Sequence, residues 1–145
     1  MVQTKTSRSL GVGRVLIVVY AILALAATGR SVVQLSTQFN EAPLAYILSA
    51  LSAVVYIIAT VALVAPGRTW YRVAWLTISF ELVGVIVVGS LSLFDPVLFP
   101  RATVWSVFGI GYGFIPLVLP ILGILWLRHR GASTAAAAVQ RETQS

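Results

Sequence analysis

The chain has 145 residues, of which 59% are hydrophobic and only 10% are charged. Soluble domains carry about 25% charged residues, so this composition excludes an ordinary water-soluble domain and predicts a membrane protein. The absence of cysteine excludes disulfides, thiolate metal sites and cysteine nucleophiles. His129 is the one histidine, so a multi-histidine metal site is excluded as well. We predict neither a bound metal nor a cofactor.

Four apolar segments of similar length follow one another along the chain. Each is close to the ~20 residues that a helix needs to cross about 30 Å of hydrocarbon. The pieces between them are short, which favours antiparallel neighbours. We therefore predict an all-α polytopic membrane protein, an up-down bundle of four transmembrane helices with short loops. The predicted domain is 15–127, and its spans are residues 15–35, 44–65, 73–93 and 104–127.

The two ends of the chain are polar. We predict a cytoplasmic N-terminal tail over 1–14 and a cytoplasmic C-terminal tail over 128–145. The C-terminal tail is small and polar, and we expect a frayed helix end followed by disorder. The first apolar run also resembles a signal peptide, with small residues at 24–26. That run continues well past those residues, which favours an uncleaved first span.

The basic residues indicate the orientation of the spans. By the positive-inside rule, the side with more Lys and Arg is cytoplasmic, which explains the net charge of +6 without nucleic acid as a partner. Eight basic residues fall on the side of the termini, and Arg30 and Arg101 towards the other. The eight are Lys5, Arg8, Arg14, Arg68, Arg72, Arg128, Arg130 and Arg141. Aromatic belts are predicted at both boundaries, with Trp70, Tyr71, Trp75 and Trp126 inside and Phe94, Phe99 and Trp105 outside.

Glu81 lies near the middle of the otherwise apolar third span. A charge at that depth costs roughly 2.5 kcal/mol or more, so Glu81 requires a partner, a protonated form or a function. At 1.5 Å of rise per residue, Arg30 lies about 10 Å nearer the outer face than Glu81. Arg30 could therefore pair with Glu81, extend to the headgroups, or pair with Glu41 or Asp95 at the outer loops.

Three interpretations of Glu81 remain open. It could fix helix packing through hydrogen bonds or an ion pair, couple protons or cations to transport, or bind a basic group of another membrane subunit. The candidate intramembrane polar site consists of Glu81, Arg30, Tyr112 and Tyr56. Other plausible neighbours are Tyr20, Thr60, Thr77 and Ser79.

The fourth span contains three alternating glycines followed by two prolines. Its GYG string resembles the filter signature of potassium channels, but too few residues precede it for a pore helix and a loop. We predict a close-packed, kinked helix. The alternative is a broken helix that exposes carbonyls to a substrate. The candidate hinge residues are Gly111, Gly113, Pro116 and Pro120.

Four strings in the chain carry a resemblance to a known family. They are ATGRSVVQL at 27–35, EAPLAY at 41–46, SFELVGV at 79–85 and GYGF at 111–114. Together they resemble a family of small four-helix integral membrane proteins of actinobacteria with no assigned function. The resemblance covers residues 15–127, implies a bacterial inner (plasma) membrane and implies no catalytic or binding residue. The small multidrug transporters are similar in length and span number, but their essential glutamate lies in the first span. The first span of this chain contains no glutamate, so the resemblance is one of architecture.

The spans contain no paired acidic residues, histidine cluster or nucleophile–base pair, so we predict no enzyme. We expect a small integral membrane protein that acts as an accessory, assembly or structural component. The alternative is a small oligomeric transporter, coupled to protons or cations through Glu81. Besides the lipid bilayer, the expected partner is a second copy of the chain or another membrane subunit.

Overall fold

The computed structural model describes the backbone of residues 2–144 and the side chains of residues 11–131 and 137–144. The described residues form helices joined by short connections and contain no strand, which confirms the predicted all-α class. The four α-helices are α1 (Val2–Thr37), α2 (Pro43–Val64), α3 (Arg68–Phe94) and α4 (Ile115–Gln144), and two 3-10 helices cover Phe39–Glu41 and Ser106–Tyr112.

Three helices have the length and composition of membrane spans, over Gly11–Thr37, Pro43–Val64 and Arg68–Phe94. A fourth candidate is bent. It consists of Ser106–Tyr112 and Ile115–Gly131, which meet at 98°. The described chain therefore has three candidate spans, or four if the bent pair counts as one. This confirms that the chain contains several apolar helices of membrane-spanning length.

The interior contains alanines, aliphatic side chains and several aromatic rings, while many large apolar side chains lie on the exterior. Helix α1 packs mainly along α2, while α3 contacts α2, α4 and the 3-10 helix Ser106–Tyr112. Tyr20 and Tyr56 are fully buried, whereas Leu25 is 76% and Leu76 73% exposed. A soluble monomer rarely exposes large contiguous apolar surfaces, so an apolar exterior of this kind fits a lipid environment.

Helices α1 and α4 extend beyond the predicted spans. Helix α1 begins at Val2, within the predicted N-terminal tail. Helix α4 continues to Gln144, through the tail for which the sequence predicted a frayed end and disorder. The alanine run at 135–138 accounts for this difference, because alanine has the highest intrinsic helix propensity.

The segment predicted as one kinked helix over 104–127 is broken. Val107, Phe108 and Gly109 all have positive φ angles, of 49°, 58° and 82°. Gly113 and Phe114 follow with φ of 63° and 61°. Left-handed residues interrupt a right-handed helix, so the chain bends by 98° here and α4 begins only at Ile115. The kinked-helix interpretation is therefore wrong, and the segment has the backbone of a broken helix.

Candidate functional site

Glu81 lies on the inward face of α3. Buried residues recur along this helix at Ala74, Ile78, Glu81, Val85 and Val88. This spacing of three or four residues places their side chains on one face of a helix. Glu81 has no exposed surface, so its carboxyl group is shielded from bulk water and from the exterior of the bundle.

One hydrogen bond holds the Glu81 carboxyl group. The Tyr20 hydroxyl of α1 donates to Oε2 of Glu81 at 2.7 Å. The other oxygen, Oε1, is buried and has no hydrogen-bond partner among the described residues. Sequence reasoning had included Tyr20 among the plausible neighbours, and the structure makes it the residue that joins α1 to α3 at this depth.

Tyr56 and Trp105 extend the contact to α2 and to the segment before α4. The rings of Tyr20 and Tyr56 lie 6.3 Å apart, centroid to centroid, and are tilted by 50°. The indole Nε1 of Trp105 donates to the Tyr56 hydroxyl at 2.8 Å. We call Glu81, Tyr20, Tyr56 and Trp105 the polar cluster. Each of its four members comes from a different part of the fold.

Trp105 corrects the predicted outer aromatic belt. Only 2% of its surface is exposed, because its ring lies against the backbone of α3 at Gly84. A Cβ added at Gly84 would lie 2.7 Å from the Trp105 ring. Gly89, five residues later, is covered by Phe108 in the same way, at 2.5 Å. These two glycines are the sequence signal that an aromatic segment packs closely on α3.

Hydrogen bonds from side chains hold the irregular segment in place. The Ser92 hydroxyl accepts the Val107 N–H at 2.8 Å and donates to the Gly89 carbonyl at 2.8 Å. The Ser106 hydroxyl accepts the Thr103 N–H at 2.8 Å. A left-handed conformation costs a β-branched residue such as Val107 roughly 1–2 kcal/mol. These bonds and the packing of Phe108 offset that strain.

The pair between Arg30 and Glu81, one of the alternatives that the sequence left open, is not formed. Arg30 donates to the Ala102 carbonyl at 2.7 Å, because it lies ten residues beyond Tyr20, roughly 15 Å further along α1. The suggested pairing of Arg30 with Glu41 is not formed either, since Glu41 pairs with Arg101 at 3.2 Å. Within the described side chains no cation pairs with Glu81, and Arg30 instead joins the loop that contains Ala102 to α1.

The remaining predicted residues form no described hydrogen bond with the carboxyl group. Tyr112 is partly buried at the end of the 3-10 helix, and no described hydrogen bond joins it to Glu81. Among the candidate hinge residues, Gly113 has a positive φ and Gly111 does not. A Cβ added at Gly111 would have no neighbour within 4 Å. Pro116 and Pro120 are buried in α4. The backbone therefore turns at Gly113 and at Gly109, which had not been proposed as a hinge.

No protein-family model, curated protein or solved structure matches the chain. Across the described residues, no group of three or more His, Asp or Glu side chains is arranged to hold a metal ion. The chemistry of the site therefore rests on one sealed carboxyl group. It can accept hydrogen bonds and hold or release a proton, and it connects helices that are distant in the sequence.

Proposed function

We propose that the chain is an integral membrane protein of the bacterial inner membrane, with four spans in an up-down arrangement and both termini in the cytoplasm. The apolar exterior of the candidate spans supports the membrane location. In this arrangement the bent pair fills the fourth position of the bundle. The excess of basic residues at one end supports the orientation, and the resemblance to small actinobacterial membrane proteins supports the bacterial membrane.

Single cysteines test this topology. The native chain has no cysteine to label in the background, and Asn40, Leu98 and Arg68 are all exposed. With an impermeant thiol reagent on intact cells, Asn40→Cys and Leu98→Cys should label. Arg68→Cys should label only after the membrane is opened. The reverse pattern would overturn the proposed orientation.

Within that membrane, we propose that the protein is a non-enzymatic accessory, assembly or structural component, acting with a second copy or another membrane subunit. The observation that carries this proposal is the sealed Glu81 carboxyl group, whose described hydrogen bond is supplied by Tyr20 of the same chain. Transport of a solute or proton requires the coupling group to be reached from water. A fully buried group bonded to a neighbouring helix suits a packing role.

Substitutions at Glu81 test this role. Glu81→Gln keeps the shape and an oxygen that accepts the Tyr20 hydroxyl, so its stability should stay within about 1 kcal/mol of the wild type. Glu81→Leu leaves that hydroxyl buried without a partner, which should cost about 1–3 kcal/mol. The measurement is the free energy of unfolding in detergent micelles.

The double variant Tyr20→Phe/Glu81→Leu is the control, because it removes both polar partners together. It should recover part of the stability that Glu81→Leu loses. A large loss in Glu81→Gln would show instead that the negative charge itself stabilises the fold. That result would contradict a neutral packing role for the carboxyl group.

A second candidate is a small oligomeric transporter coupled to protons or cations through Glu81. The unpartnered Oε1 atom favours it, because a buried oxygen without a hydrogen bond can accept a proton or a cation. In that case Glu81→Gln should remain stable and lose pH-dependent uptake or resistance in cells. A stable Glu81→Gln variant with unchanged uptake would exclude this candidate.

A further inference from the structure

One end of the bundle gathers α1, α3 and α4. The Trp126 ring of α4 lies against Gly13 of α1, where an added Cβ would be 2.7 Å away. The Tyr71 hydroxyl of α3 donates to the Leu127 carbonyl of α4 at 2.8 Å. Tyr71 also touches Gly131. These contacts fix the positions of the three helices along their axes relative to one another.

Four arginines lie next to these contacts in the chain. Arg14 follows Gly13, Arg72 follows Tyr71, Arg128 follows Leu127, and Arg68 begins α3. All four side chains are exposed. We call Arg14, Arg68, Arg72 and Arg128 the basic end. Because they lie on three helices held together by the Trp126 and Tyr71 contacts, their positive charges lie at the same end of the molecule.

No acidic side chain balances the basic end within the described residues. Glu41 is paired with Arg101 near the junction of α1 and α2, at the opposite end of those helices. Asp95 follows the last residue of α3, and Glu81 is buried in the interior. Glu142 lies fourteen residues beyond Arg128 on α4, roughly 21 Å along the helix. The four arginines form no ion pair among the described side chains.

We infer that the basic end binds the headgroups of anionic phospholipids. This inference rests on the proposed membrane location, which places the ends of the apolar spans in the headgroup layer. Guanidinium groups bind phosphate oxygens in a bidentate geometry, and clustered basic residues next to a span attract anionic lipid. The Arg130 guanidinium lies 5.4 Å from the centroid of the Trp126 ring. Tryptophan is enriched at membrane boundaries, so Trp126 fits a position in the headgroup layer.

The test uses the full chain, purified in a neutral detergent. Binding of phosphatidylglycerol and of phosphatidylcholine is measured by native mass spectrometry, and the melting temperature is measured with each lipid. We expect phosphatidylglycerol to bind at least tenfold more tightly than phosphatidylcholine and to raise the melting temperature. Higher salt should weaken this binding, because exposed charges are screened. Equal binding of the two lipids would overturn the inference.

Variants locate the site. Arg14→Gln/Arg72→Gln/Arg128→Gln should lose most of the preference for phosphatidylglycerol, and Arg→Lys at the same positions should keep a large part of it. Arg101→Gln, at the opposite end, is the matched control and should bind within about twofold of the wild type, because Arg101 already pairs with Glu41. An equal loss in Arg101→Gln would place the lipid elsewhere and overturn the assignment.

Three further measurements separate the possible outcomes. If the triple variant does not fold, competition between the two lipids on the wild type at low and high salt still decides the question. Displacement of the lipid by equimolar inorganic phosphate or by a short oligonucleotide would show a general anion site and overturn the lipid assignment. Carbonate extraction tests the membrane location separately. An integral membrane protein should resist extraction, and release of the chain would contradict the proposed function rather than the lipid site alone.

Discussion

Gly109→Ala is expected to lower the free energy of unfolding by about 2–5 kcal/mol. Gly109 has φ of 82°, and an added Cβ would lie 2.7 Å from the Pro116 ring. The left-handed conformation alone costs an alanine roughly 1–2 kcal/mol, and overpacking adds about 1–3 kcal/mol. Pro116 is buried and its ring cannot rotate away. The measurement is chemical unfolding in detergent micelles, followed by circular dichroism and tryptophan fluorescence.

Gly111→Ala is the matched control for this substitution. Gly111 lies two residues away in the same 3-10 helix, has no positive φ and has no neighbour within 4 Å of an added Cβ. Its replacement should change stability by less than about 1 kcal/mol. If the two alanine variants lost stability equally, the left-handed turn at Gly109 and its contact with Pro116 would not determine the path of the chain.

The conformation around these two glycines is the part of the fold that the sequence did not predict. Composition and the length of the apolar runs predicted the helical class and three helices of membrane-spanning length, because both depend on average properties of long segments. The glycine-rich segment depends instead on a few backbone angles. The alternating glycines indicated an irregular helix, yet Val107 is an unfavourable residue for a left-handed conformation. Only the surrounding contacts, such as the Ser92 hydrogen bond, select that conformation.

The centre of the site was predictable, and its partners were predictable only in part. A lone carboxylate among apolar residues marks Glu81 in any reading of the sequence. Arg30 was a candidate partner of Glu81 because its charge is opposite. Its position along α1 instead places its guanidinium next to the Ala102 carbonyl. Tyr20 was one of several hydroxyl residues at similar depth. The position of α1 relative to α3, with α2 packed against both, decides among them, and a single sequence does not contain that information.

The prediction that Trp105 belongs to the outer aromatic belt was wrong for a related reason. Tryptophans near span ends are usually interfacial, and Trp105 follows a polar loop. The break before α4 instead turns this side chain inward, over Gly84. The indole then donates to Tyr56, whose ring contacts Tyr20. The broken fourth segment thereby reaches the surroundings of Glu81, so its conformation and the packing of the polar cluster depend on each other.

Trp105→Ala is therefore expected to destabilise the protein by about 3–5 kcal/mol, as for other buried tryptophans. It removes a side chain of which only 2% is exposed, opens the groove at Gly84 and leaves the Tyr56 hydroxyl without its donor. Trp105→Phe retains much of the ring volume but loses the indole N–H, so it should cost less, about 1–2 kcal/mol. Unfolding in detergent micelles measures both variants.

Trp70→Ala provides the comparison, because Trp70 is 38% exposed near the start of α3. Its loss should cost less than about 1 kcal/mol, as is usual for substitutions away from a packed core. Gly84→Ala adds a second measurement, since its new methyl group would meet the Trp105 ring. It should cost less stability in the Trp105→Ala background than in the wild type, because the colliding ring is then absent. Equal stability of Trp105→Ala and Trp70→Ala would show that the broken segment does not hold the polar cluster together.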